Sequence, residues 1–109
     1  MKMEFTKNMI KTGRVVDINL ECLGVIRYFV LNDRLIGENG FVNKSDINND
    51  GTFAITGGAN ILRVYEIVGS LNKLNDVLND DNLKIIFILK QLFTFKNEKV
   101  QRKLDFLFI

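Results

Sequence analysis

The 109-residue chain contains no histidine, no tryptophan and no proline, and its only cysteine is Cys22. Without histidine the Ser/His/Asp and Cys/His nucleophilic mechanisms are excluded. One thiol forms no disulfide within the chain, and a zinc site built from Cys and His ligands is out of reach. A strong net charge is also missing. Fifteen Lys and Arg against thirteen Asp and Glu leave +2, too little to mark a nucleic-acid binder by itself. Long apolar runs are absent as well: Ile85–Leu89 and Phe106–Ile109 fall far short of the ~20 residues of a membrane span. The segment MKMEFTKNMIK has no apolar core of signal-peptide length. The expected setting is therefore cytoplasmic and away from membranes, where an unpaired thiol is ordinary.

What is present suits one small domain over residues 1–109. Hydrophobic residues make up 47% of the chain, enough for a core. Thirteen Asn, twelve Ile, ten Lys and nine Phe are the composition expected of an AT-rich genome. Charge is unevenly placed: residues 1–83 hold nine basic and eleven acidic side chains, whereas residues 84–109 hold six basic and two acidic. Residues 89–109 thus read as an apolar and basic C-terminal extension. Lys90, Lys96, Lys99, Arg102 and Lys103 either keep it soluble or offer a face to phosphates, which leaves nucleic acid open as a partner.

Period-two alternation dominates the chain. Val16, Ile18, Leu20 and Cys22 alternate with Asp17, Asn19 and Glu21, a half-buried strand with Cys22 in the core. Val25–Leu31 is rich in β-branched and aromatic residues and forms a hairpin with it. Asn32 to Gly40 reads as turn, Gly40–Val42 and Thr52–Ile55 as short strands. Ile61–Val68 is apolar on both faces, the pattern of a central strand, with Ile61, Arg63, Tyr65 and Ile67 expected on one side. Ser70 can cap a short helix over 71–79, because Leu71, Leu74, Val77 and Leu78 recur at helical spacing. Leu83–Leu89 returns as a strand, which Leu92–Phe95 either continues or pairs with, and Leu104–Ile109 is β-prone beyond it. The expected fold is mainly β (α+β): a small five-stranded SH3-like β-barrel, or a strongly curved antiparallel sheet, with one short helix.

Motifs that carry chemistry are few. Asp46-Ile47-Asn48-Asn49-Asp50-Gly51 matches the first half of a calcium loop, but its twelfth position is Gly57 where a bidentate Glu is required. The same residues are the preferred turn formers, and a turn is the expected reading. Gly57-Gly58-Ala59-Asn60 lacks the Lys-Ser or Lys-Thr of a phosphate loop and runs into a strand. Asp17, Glu21, Glu38 and Glu66 are spread over separate elements and read as solvated faces, so no catalytic residue, metal ligand or cofactor is implied.

Arginine is the better lead. Four of the five arginines are Arg14, Arg27, Arg34 and Arg63, and two of these neighbour tyrosines, Arg27 beside Tyr28 and Arg63 two residues from Tyr65. Arg14, Arg27, Tyr28, Arg63 and Tyr65 are the candidate binding residues for an anionic ligand gripped by charge and stacking. The plain alternative is salt-bridge and cation–π contacts on a sheet surface. Phe106, Leu107, Phe108 and Ile109 form the candidate partner-binding patch, through which a homo-oligomer is expected.

The order of short motifs adds a resemblance. Thr12-Gly13-Arg14-Val15-Val16, Tyr28-Phe29-Val30-Leu31, Gly40-Phe41, Ser45 to Phe53, Ile61 to Tyr65, and SLNKL before Lys84–Phe87 together resemble small uncharacterised proteins encoded by phages and prophages of Gram-positive bacteria. The similarity covers roughly residues 9–88. Members often carry an acidic residue where this chain has Arg14, and the end from Leu89 to Ile109 lies outside the pattern. The resemblance implies a barrel-like fold and a non-enzymatic anti-defence role in the host bacterial cytoplasm. The partner would be a bacterial immune effector, to be blocked, or an anionic nucleotide signal, to be sequestered. The alternatives are a nucleic-acid-binding small β-barrel and a phage structural or assembly protein.

Overall fold

The computed structural model describes residues 4–20, 23–38, 40–54, 58–72, 86–95 and 104–108. Among these residues seven strands form one sheet: β1 (Arg14–Leu20), β2 (Gly24–Leu31), β3 (Arg34–Gly37), β4 (Gly40–Asn43), β5 (Ala59–Ser70), β6 (Ile86–Thr94) and β7 (Leu104–Phe108). Their order is β4-β3-β2-β1-β5-β6-β7, every pairing is antiparallel, and the sheet curves strongly into a half-barrel. Mainly β is therefore correct, in its curved-sheet form. Five strands closed into an SH3-like barrel is not what forms, since seven strands leave β4 and β7 as opposite edges.

The alternating segments are strands for the reason their pattern gives. Val16 and Ile18 point into a larger core with Tyr28, Val30, Leu35, Ile61 and Val64, while Val15 points into a smaller one with Tyr65 and Leu89 on the opposite face. The larger core is closed by Ile10 of the N-terminal segment and Ile47 of the loop after β4, both buried. Fully burying aliphatic side chains of this size contributes about 1.5–3 kcal/mol each against leaving them in water.

Three local expectations change. Residues 32–40, read as turn, hold β3 between two tight reversals; Asn32 takes the left-handed φ of 56° that lets Leu31 pair with Arg34. Of Thr52–Ile55, Thr52 and Phe53 form isolated bridges, to Asn60 and Ile47, and Ile55 lies outside the described residues. Ile61 parts from Arg63 and Tyr65 and joins the larger core, because a register shift opposite Asp17 and Ile18 reverses the facing of β5. Leu92–Thr94 continues β6, the first of the two readings left open for it. The expected helix falls from residue 73 onward, and Cys22 wholly, outside the described residues, where helical structure is limited to the 3₁₀ turns Lys7–Met9 and Lys44–Asp46. No helix among the described residues is long and apolar enough to cross a membrane.

Candidate functional site

Asp17 sits at the middle of β1, paired in register with Arg27 on β2 and Arg63 on β5. Residues opposite one another in neighbouring strands share a face, so a carboxylate flanked by two guanidiniums follows from register alone. Arg27 donates through Nε to Asp17 Oδ1 at 2.8 Å and through Nη2 to Oδ2 at 3.1 Å, a bidentate pair. Arg63 Nε donates to Asp17 Oδ2 at 3.0 Å. Asp17 is 1% exposed, so the expectation of a solvated carboxylate fails here. Its two partners keep 26% and 22% of their side-chain surface.

The same Arg27 lies 5.0 Å from the Tyr65 ring centroid, reaching across β1, and its Nη1 donates to the Phe106 carbonyl of β7 at 2.6 Å. That last bond spans from one side of the half-barrel to the other, since β1, β5 and β6 lie between. Three of the five candidate ligand residues, Arg27, Arg63 and Tyr65, are thus brought together around Asp17. The other two face the larger core. Arg14 donates through Nη1 to the Met9 carbonyl at 2.9 Å, and Tyr28 is buried, which pushes its hydroxyl pKa above the ordinary value.

Arg27, Arg63 and Asp17 leave one net positive charge, already organised around a carboxylate. A phosphate reaching the site has to share both arginines with Asp17. The expected C-terminal patch is also divided. Phe106 is exposed on β7, whereas Leu107 packs against Val15, Tyr65 and Leu89. The side chain of Phe108, and all of Ile109, lie outside the described residues. So do Lys96, Lys99, Arg102 and Lys103, leaving Lys90, exposed on β6, as the described part of the basic segment.

A second feature was missed by the sequence reading. Register carries a row from the Asp17 site to the sheet edge: Tyr65, Val15, Phe29, Ile36 and Phe41 stand opposite one another across five strands. Its outer part is open, with Ile36 43% and Phe41 55% exposed, and Leu31 beside them at 45%. Arg34 lies 4.8 Å from the Phe41 ring centroid. The available signal was three apolar residues, Leu31, Ile36 and Phe41, at places where a solvated strand would be polar.

The Asp46–Gly51 loop is a hydrogen-bonded turn. Asp50 Oδ1 accepts from Thr52 Oγ1 at 2.6 Å and from the Thr52 N–H at 3.0 Å, and Gly51 takes a φ of 90°. These bonds, the hydroxyl first, hold the Asp50 carboxyl below its ordinary pKa. A lowered folded-state pKa contributes stability above the ordinary carboxylate range that is lost as pH falls through the folded value. Thr52→Val is expected to move the Asp50 titration up toward the ordinary value, read by carboxyl NMR; an unmoved titration would mean that the hydroxyl is not the cause.

Compared with protein-family models, curated proteins and solved structures, the chain matches none.

Proposed function

We propose that the chain is a non-enzymatic binding module that works by stoichiometric capture of a protein, as the resemblance to phage-encoded proteins implies, and that its target is an effector of a bacterial immune system. The observation that carries this reading is the open apolar patch of Leu31, Ile36 and Phe41 beside Arg34. A contiguous apolar surface rimmed by a cation is what a protein contact uses. Sequestration of a nucleotide signal is the weaker form of the idea, because its two best-placed arginines are held by Asp17.

The test is expression of the chain in bacteria carrying defined defence systems, followed by phage challenge and co-purification. The expected result is restored plaque formation on a particular defence background, with that effector recovered at a fixed ratio to the chain. Plaque formation unchanged on every background would overturn the target. A trace of the chain converting an excess of substrate would overturn capture itself.

A further inference from the structure

Both edges of the sheet are strands, and they are finished differently. At β7 the Phe106 carbonyl is covered by the guanidinium of Arg27. Capping an edge with a charged side chain is one way proteins keep another strand from adding there. At β4 no such cap is present among the described residues.

Bond parity shows which groups β4 leaves open. The Lys44 N–H donates to the Asp33 carbonyl at 2.8 Å, next to the Arg34–Asn43 pair. Bonded and non-bonded pairs alternate along an antiparallel ladder. Leu35–Val42 and Gly37–Gly40 are then bonded pairs, and Ile36–Phe41 and Arg34–Asn43 are not. The N–H and C=O of Phe41 and the N–H of Asn43 therefore face away from β3. The exposed Phe41 and Ile36 side chains stand beside these groups.

We propose that β4 is a docking edge for an extended segment of the captured protein that carries apolar side chains and a carboxylate at every second position, on the one face that meets Phe41, Ile36 and Arg34; this rests on the capture reading above. Strand addition supplies main-chain bonds for affinity and a place for every second side chain for specificity. Apolar side chains of the segment cover Phe41 and Ile36. A carboxylate meets Arg34, which is exposed and, among the described residues, has no ion-pair partner. The buried carboxylate of this face, Asp17, is taken up by Arg27 and Arg63. A second copy of β4 would bring Gly-Phe-Val-Asn and no carboxylate to answer Arg34.

The test begins with short random peptides displayed and selected against the intact chain, and the recovered peptides are titrated into isotope-labelled protein. Peptides with an acidic residue two places from an apolar one are expected, with amide shifts centred on Gly40–Asn43 and Ile36. Asn43→Pro suits a position whose φ is already −79° and removes an outward N–H that the fold does not use. It and Arg34→Glu are each expected to weaken binding about ten-fold or more with the unfolding midpoint unchanged. The proposal is overturned by no enrichment, by enriched peptides lacking carboxylates, by shifts centred elsewhere, or by full affinity in Asn43→Pro. Shifts of Gly40–Asn43 that grow with the concentration of the chain alone would assign the edge to a second copy and overturn it too. If peptides bind β4 but no defence background is relieved, the immune target falls and the edge stands. If Asn43→Pro and Arg34→Glu relieve a background as well as the unaltered chain does, the edge falls and the target stands.

Discussion

Asp17→Ala is expected to lower the unfolding free energy by about 3 kcal/mol, the low end of the range for removing one partner of a buried ion pair. The effect comes from what is left behind. Two guanidiniums, each about three-quarters covered, lose the carboxylate between them, while their own desolvation is unchanged. Partial exposure, together with the contacts of Arg27 to Tyr65 and to the Phe106 carbonyl, keeps the cost from reaching the top of the range. Asp17→Asn retains the shape and one acceptor and should cost less. Replacing Asp17, Arg27 and Arg63 together by Leu, Met and Met should recover most of the loss, because no charge is then left buried and alone. Urea unfolding of the variants decides it. An Asp17→Ala midpoint equal to that of the unaltered chain would mean the carboxylate contributes nothing to holding β2, β1 and β5 together. Against a typical total stability of about 5–15 kcal/mol, the expected change is large.

That triad also shows where sequence reading succeeds and where it stops. Period-two alternation placed β1 and β5, and β-branched and aromatic content placed β2, since strands leave those signatures in their own residues. Arg27, Arg63 and Tyr65 were singled out, and they do gather. What gathers them was not legible: Asp17 looked like any polar residue on a solvated face. Only the register of β1 against both neighbours shows that the face is covered and that one carboxylate meets two arginines. Register is a property of pairs of strands far apart in the chain, so no local window contains it.

The same reason explains the errors in facing. Arg14 and Tyr28 were grouped with the other three by residue type, yet their parity along β1 and β2 turns them to the opposite side. Ile61 was assigned to the side of Tyr65 by counting twos, and a register shift in β5 reverses it. A β-bulge has no reliable mark in a segment of alternating apolar residues. The turn signal of Asn32-Asp33 was read correctly, and Gly40 takes the positive φ expected of it, while Asn39 lies outside the described residues. Merging the two signals into one loop hid β3, and with it the row that ends on Phe41.

Gly37→Ala, in that hidden strand, is expected to cost about 2 kcal/mol, within the range for overpacking a closed core. Gly37 pairs with Tyr28 across β2 and β3, and a Cβ at Gly37 would lie 2.7 Å from both Cδ2 and Cε2 of the tyrosine ring. The ring is not a loose end that can swing aside, since Tyr28 is buried in the larger core among Val30, Leu35 and Val64. The glycine is therefore needed for space, and not for an unusual φ. That distinction gives the prediction its test. In a Tyr28→Leu background the clash is gone, and what remains is the ordinary preference of a strand for Ala over Gly, about 0.5–1 kcal/mol in the other direction. The sign of the Gly37→Ala effect should therefore reverse between the two backgrounds, read as urea midpoints at constant slope. If the single variant is as stable as the unaltered chain, the ring has room to move and the packing of Tyr28 on β3 is looser than its burial indicates. If the penalty persists with Leu at position 28, the strain comes from the backbone of β3, and the tyrosine is not its source.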